Sequence, residues 1–223
     1  MTLACKTAPE ERFLSSVREA GIEAVELFVS EKMLDDTDSL SETCRKFPLR
    51  YAVHANNGAF RMRELAAFTA GIGAEIVVFH DIYWESEWDE IADIFRGTGA
   101  RLCVENTHSV HEPLKFRRRY GMGMCLDLEH LQLECNGVYE EEFVKVIGTA
   151  WHIHLTGYRP GTASWHTHVH HAGPYGKKML DMIKRSGFSG MVVSEAKVSQ
   201  QTVAEFKRLK AFYDGNAPKC KDS

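Results

Sequence analysis

Eight times along this chain a short run of apolar, β-branched residues gives way to a polar turn and then to a stretch whose apolar positions recur every three or four residues. The strand-like runs are 3–6, 22–29, 50–55, 75–80, 101–105, 122–127, 151–155 and 191–195, the first being the weakest because it is short and its ends can fray. Strict alternation forces parallel strands, since each helix returns the chain to the edge from which it started, and eight such units can close on themselves. An open doubly wound sheet would normally carry a glycine-rich phosphate turn after its first strand, and Cys5-Lys6-Thr7-Ala8-Pro9 has none. The expectation is an α/β fold, a single parallel eight-stranded (β/α)8 TIM barrel filling residues 1–223 as one domain. With 44% hydrophobic residues the chain can bury one such core, and no linker divides it. Helix signals fill the gaps. Thr7-Ala8-Pro9-Glu10 reads as a capping box ahead of Phe13, Leu14 and Val17, with a stop at Gly21; Ser86-Glu87-Trp88-Asp89 opens a run through Ile91, Ile94 and Phe95; Val203, Phe206, Leu209 and Phe212 share a face of the last helix.

The polar residues fall where such a barrel would use them. His54, His80, Glu105, Asp127, His154 and Glu195 each end a strand-like run, and in a parallel barrel all strands finish at one rim. Burying that many carboxylates and imidazoles together without a cation would cost several kcal/mol in desolvation and repulsion, and a divalent metal resolves the conflict. A second signal is density: six of the eleven histidines lie between Trp151 and His171. A His-x-His step on a strand points both rings to one face, so His152 should sit inward, one layer below His154, bonded to a neighbour. The stretch 156–174 is long enough for a functional loop, and of His170 and His171 at most one should reach the metal at the rim. Glu26, mid-strand, is expected to line the interior in a structural role.

Charge and composition exclude other classes. The formal net charge is −4, and the one basic cluster, Lys115-Phe116-Arg117-Arg118-Arg119, reads as a solvated helix face, so nucleic acid is a disfavoured partner. The six cysteines form no Cys-x-x-Cys pair and read as reduced, mostly buried thiols. Neither a signal-peptide pattern nor a membrane span is present, so a cytoplasmic protein, alone or as a homo-oligomer, is expected.

Val104-Glu105-Asn106-Thr107, Cys125-Leu126-Asp127-Leu128-Glu129-His130, His152-Ile153-His154-Leu155 and Val193-Ser194-Glu195, in this order and spacing, resemble the xylose isomerase-like barrels, a family that includes sugar epimerases, sugar-phosphate isomerases and type IV apurinic endonucleases. The resemblance covers nearly the whole chain. It implies a divalent metal, zinc or manganese with magnesium or cobalt as further choices, held by Glu105, Asp127, His154 and Glu195. His54, His80, His130 and His168 match further positions that complete a trinuclear zinc cluster in the endonuclease branch. That branch has an aspartate where this chain has His166, which puts the third ion in question.

Two activities follow from the resemblance. In a metal-dependent isomerase or epimerase of a sugar, sugar phosphate or sugar acid, Glu105 and Glu195 are the acid/base pair that moves a proton alpha to a carbonyl through an enediolate. Arg159 is similar to a substrate-contacting arginine of the epimerase branch, Lys197 is placed to face the rim, and Trp165 is placed to stack on a sugar ring. The alternative is a zinc-dependent phosphodiesterase acting on abasic DNA. His54 and His80 favour it; the acidic net charge and the short loops after most strands oppose it.

Overall fold

The computed structural model describes residues 1–134, 142–159, 161–163 and 165–215, with side chains at 142 and 143 left aside. Its strands are β1 (Thr2–Thr7), β2 (Ala24–Phe28), β3 (Arg50–His54), β4 (Ile76–Phe79), β5 (Arg101–Glu105), β6 (Gly123–Asp127), β7 (His152–Leu155) and β8 (Met191–Ser194). They are joined by helices α1 (Glu11–Glu19), α2 (Thr37–Arg45), α3 (Met62–Ile72), α4 (Glu85–Phe95), α5 (Glu112–Tyr120), α6 (Leu128–Glu134), α7 (Glu142–Thr149), α8 (Pro174–Arg185) and α9 (Val203–Tyr213). Every strand is parallel to its neighbours, and β8 returns to pair with β1, so the sheet closes into the expected eight-stranded barrel. The strand with the weakest sequence signal, β1, is six residues long and paired on both sides.

Two layers of packing follow from the two faces of each strand. Outward residues such as Val25, Leu27, Val53, Val77 and Ile153 meet the helix ring in one large core. Inward residues are mostly small: Ala4, Ala24, Ala52, Cys103, Cys125 and Val193 belong, with Ile76, Val78 and Met191, to a separate cluster that fills the barrel floor. Trp151 packs against that cluster, and Gly123 makes room for it: a Cβ at 123 would lie 2.2 Å from the indole. Cys5, Cys44, Cys103 and Cys125 are free and buried, as expected, whereas Cys135 and Cys220 lie outside the described residues.

The helix starts differ from expectation. Thr7 is the last residue of β1 and helix α1 begins only at Glu11 with no side-chain cap, so Thr7–Glu10 is a connecting turn and not a capping box. Strand pairing takes Thr7 because Leu27 offers it a ladder partner. At α4 the entry lies two residues early, where the Glu87 carboxylate accepts from the Trp84 N–H at 2.7 Å. The basic run lies on α5, where Arg119 is paired with Glu85 and Asp89 of α4. Among the described residues no helix is long and apolar enough to cross a membrane.

Candidate active site at the barrel rim

Because side chains alternate, the inward residue two positions beyond each small floor residue reaches the C-terminal mouth: Lys6 on β1, Glu26 on β2, His54 on β3, Glu105 on β5, Asp127 on β6, and Glu195 just past β8. These six side chains are buried or nearly so. Glu105 is one centre of the cluster. Its Oε2 lies 3.0 Å from His54 Nε2, whose Nδ1 donates to Ala55 O at 2.9 Å, and 3.2 Å from His80 Nε2, while its Oε1 lies 3.4 Å from His130 Nδ1. Asp127 is held by its neighbours. Asn106 brackets its backbone, accepting from Asp127 N at 2.6 Å and donating to Asp127 O at 3.1 Å. Its own Oδ1 caps α6, accepting from the N–H groups of Glu129 at 2.6 Å and His130 at 3.0 Å, which leaves Oδ2 for the rim.

His154 is the other centre. Its Nε2 lies 3.0 Å from Glu26 Oε2 and donates to it, since a carboxylate can only accept. Burial opposes a charge on the ring, but Cys125, Glu26, Glu195 and Glu105 hold it well above the usual imidazole range. Without an ion Nδ1 is therefore protonated too, and a bound ion would take that proton's place. The Nδ1 atom, buried and without a hydrogen-bond partner, faces Glu195 Oε1 at 3.1 Å, Glu105 Oε2 at 3.5 Å and Asp127 Oδ2 at 3.9 Å. His152 lies inward as expected and donates to the same Glu26 oxygen at 2.7 Å. Lys6 Nζ stands 3.3 Å from Glu26 Oε1 and also contacts Glu195 Oε1.

The charges are set by this company. Burial opposes ionisation of Glu105, yet His154, His54 and His80 hold its carboxyl well below the usual range. Burial likewise opposes ionisation of Glu195, and Lys6 and His154 outweigh it. Lys6 stays charged despite burial because Glu195, Glu26 and Glu105 surround it. Asp127 is the exception: burial, with the nearby Glu105 and Glu195 charges, pushes it up to about 7 against the pull of His130. In the metal-free rim this carboxyl is therefore only partly ionised near neutrality.

The donor set fits a divalent cation. Among the described residues, groups able to hold an ion at or just below the rim are His54 with His80 and Glu105, Glu105 with Asp127 and His130, Glu26 with His54, His154 and Glu195, and Cys125 with His152 and His154. The orphaned Nδ1 of His154, aimed at three carboxylates with its other nitrogen fixed by Glu26, is how an imidazole ligand is normally oriented.

Other expected residues fall elsewhere. His168 is not brought to the cluster. The backbone of Gly157 crosses residues 167–168 so closely that a Cβ would lie 2.4 Å from His168 O, and this crossing sets His168 behind β8. There Nδ1 accepts from the Ser194 hydroxyl at 2.8 Å and Nε2 donates to Gln200 O at 3.2 Å, so both ring nitrogens are used, and burial pushes the ring down to about 4. His166 stays at the mouth with a half-exposed side chain, 3.8 Å from Glu195 Oε2, its backbone left-handed at φ 48°. A cleft of about 450 Å³ opens beside it, lined by Lys6, Phe28, His166, Glu195 and Lys197. Arg159 is exposed and Trp165 stacks on Tyr158 at 4.8 Å, and neither is among the cleft residues. Pro160 and Ser164 in the same loop lie outside the described residues.

No protein-family model and no curated protein matches the sequence. Solved structures do match over nearly the full length. A D-tagatose 3-epimerase-like protein superposes with a TM-score of 0.67 at 15% identity, covering 97% of both chains. A xylose isomerase homologue from Rhodospirillum rubrum gives 0.67 at 11% identity, over 98% of this chain and 100% of that one. The chain thus shares the eight-stranded barrel fold of these solved structures. A protein from Thermus thermophilus, solved after soaking with zinc chloride, shares it with a TM-score of 0.63 at 17% identity, over 98% of this chain and 100% of that one.

Lys6 and Glu26 are the site residues that sequence reading missed or undervalued. Their signal was present but weak: Lys6 and Glu26 are register partners in β1 and β2, a charged pair inside two runs otherwise apolar on that face.

Proposed function

We propose that this chain is a metal-dependent isomerase or epimerase of a sugar carrying an acidic group, with Glu105 and Glu195 as the proton-transfer pair. The observation that carries the reading is the unpartnered Nδ1 of His154 facing Glu195, Glu105 and Asp127. Those four residues are the proposed ligands, with His54, His80 and His130 around Glu105. A divalent ion bound there would supply Lewis-acid polarisation of substrate oxygens. His154, His54 and His80 hold Glu105 ionised against its burial, and His130 lies beside its other oxygen. Glu195 has its Oε1 engaged by Lys6 and His154, which leaves Oε2, on the His166 side, as the atom that takes or returns a proton. Lys197 places a cation on the cleft beside Lys6, whose own charge is already met by Glu26 and Glu195, and this favours a substrate with a carboxylate or phosphate. Phe28 offers an apolar wall. Of the three expected substrate contacts, Lys197 is retained in this reading, and Arg159 and Trp165 have no part in it. The likeness to an epimerase-like protein and a xylose isomerase homologue lends support at the level of fold.

The test is solvent deuterium uptake. Chelator-treated protein reloaded with manganese or zinc is incubated in D2O with a panel of sugar phosphates, sugar acids and neutral ketoses. Deuterium should appear at the carbon beside a carbonyl, and Glu195→Gln and Glu105→Gln should each abolish it. Uptake that survives both substitutions sinks the acid/base assignment.

A second reading is favoured by one arrangement, His54 and His80 converging on a single oxygen of Glu105, which suits a second ion of zinc type. That reading is hydrolysis of a phosphodiester in abasic DNA. Cleavage of an abasic duplex by the zinc-loaded protein, with no deuterium uptake into any sugar, would replace the first reading with the second.

A further inference from the structure

The histidines left over from the rim converge on a different partner. His170 and His171 are consecutive residues of the single turn 169–172, and Glu205 lies in the first turn of α9. His170 Nε2 is 3.0 Å and His171 Nε2 2.9 Å from one atom, Glu205 Oε2. The three candidate ligand atoms all lie within 4.8 Å of one another.

Local sequence makes this placement informative. Thr202 caps α9 by accepting from the Glu205 N–H at 3.3 Å, and in a complete capping box the glutamate at this position would reach back to the Thr202 N–H. Here the carboxylate instead faces outward from the helix start to the two imidazoles, and its other oxygen is held by Arg208 at 2.5 Å. The site is walled on one side, with the side chains of His170 and Glu205 12% and 15% exposed, and open on the other, where His171 is 39% exposed.

We infer that His170 Nε2, His171 Nε2 and Glu205 Oε2 form a second, separate site for one divalent ion of the zinc class, with the remaining position open to water. Two imidazoles and a carboxylate are a borderline-soft set that suits zinc, cobalt or nickel and disfavours magnesium or calcium. Zinc bonds near 2.0–2.1 Å in tetrahedral geometry put ligand atoms about 3.3 Å apart, so the imidazole–carboxylate separations need open by only a few tenths of an ångström. His170 Nδ1 is buried without a partner, so no outer carboxylate supports that ligand. Such support is worth roughly 10- to 100-fold in affinity, and the ion is expected to exchange with solution. The ion would tie the end of the loop that carries His166 to α9, on the outer face of the barrel. The inference stands apart from the proposed activity, because none of the three residues takes part in it.

The experiment removes the rim first. The His54→Asn/Glu105→Gln/His154→Asn triple variant, which breaks every ion-capable group of the rim, is stripped with chelator and titrated with zinc against a chromophoric competitor, and with cobalt by visible absorption. One site should remain, and cobalt should give tetrahedral d–d bands. Adding His171→Ala, at a position exposed enough to leave the fold intact, should weaken that site at least tenfold and remove the bands. Glu205→Gln should do the same, with circular dichroism confirming that α9 is still formed. Binding that is unchanged by His171→Ala, or no binding below about 100 μM in the triple variant, overturns the assignment.

Discussion

The floor and the rim of this barrel are built on the same strands, two residues apart. Ala4 and Lys6, Ala24 and Glu26, Ala52 and His54, Cys103 and Glu105, Cys125 and Asp127, Val193 and Glu195 each pair a small apolar side chain with a titratable one on the same face. The floor residues need nothing from one another beyond volume, and they are fully buried. The rim residues are almost as buried yet depend on one another for every charge: Glu105 on three histidines, Glu195 on Lys6 and His154, His154 on Glu26. One layer stabilises the fold; the other is held against its own desolvation so that it can bind and react.

If the two layers are separate in this way, substitutions should divide cleanly between them. Glu195→Gln should reduce turnover at least 1,000-fold, about 4 kcal/mol of transition-state stabilisation, with metal partly retained and the melting temperature within a few degrees of wild type. A variant that unfolds instead would show that the rim also carries the fold. Gly123→Ala should do the reverse. Its Cβ would drive into the Trp151 ring, and overpacking of this kind costs about 2–3 kcal/mol, a fall of roughly 5–10 °C for a chain of this size. Zinc or manganese affinity of the folded fraction should not change, as isothermal titration below the transition would record.

Asp127→Asn tests the boundary, because it should help the fold while harming the site. The folded-state pKa of Asp127 is raised to about 7 from an ordinary value near 4, so the native state holds this proton more tightly than the unfolded chain. The stability it brings is complete below about pH 4 and is lost as pH rises towards 7. Asparagine cannot ionise, and its Oδ1 can still cap α6. In chelator-treated protein the variant should therefore be more stable than wild type by about 2 kcal/mol at pH 8, the gap narrowing toward pH 5. Wild type should recover the advantage when metal is added. Equal melting temperatures at both pH values would show that the carboxyl is not strained in the metal-free rim.

How far the sequence discloses the site depends on the kind of residue. Glu105, Asp127, His154 and Glu195 are legible because each interrupts an apolar run at its C-terminal end, and in a parallel barrel those ends share one rim. Lys6 is not, because a lysine near the end of a short terminal run looks like any solvated lysine until β8 closes over the other side of β1. His168 misleads for a related reason: spacing from His154 cannot reveal that the chain crosses itself at Gly157 and turns the ring to the outside of β8. Arg159 and Trp165 sit on the same loop, and their orientation follows from that crossing and from the Tyr158 stack rather than from any periodic pattern.

Glu26 gives the finest test of how the two layers join. It stands in the rim layer, two residues beyond Ala24, yet it is wholly buried and does not line the cleft. Its carboxylate nevertheless fixes the tautomer of His154, since the ring can present a free Nδ1 only while Nε2 keeps its proton on Glu26 Oε2. Glutamine at this position keeps the size and can still accept one bond, but it removes the charge that makes the imidazole a better donor. Glu26→Gln should weaken metal binding about tenfold, or ~1.4 kcal/mol, with the larger share of any activity loss regained at saturating metal. The same variant should leave Lys6 with Glu195 as its one remaining contact, so the Glu195 side of the rim stays in place. Unchanged metal affinity with lower thermal stability would assign Glu26 to the floor and confine the working rim to the strand ends.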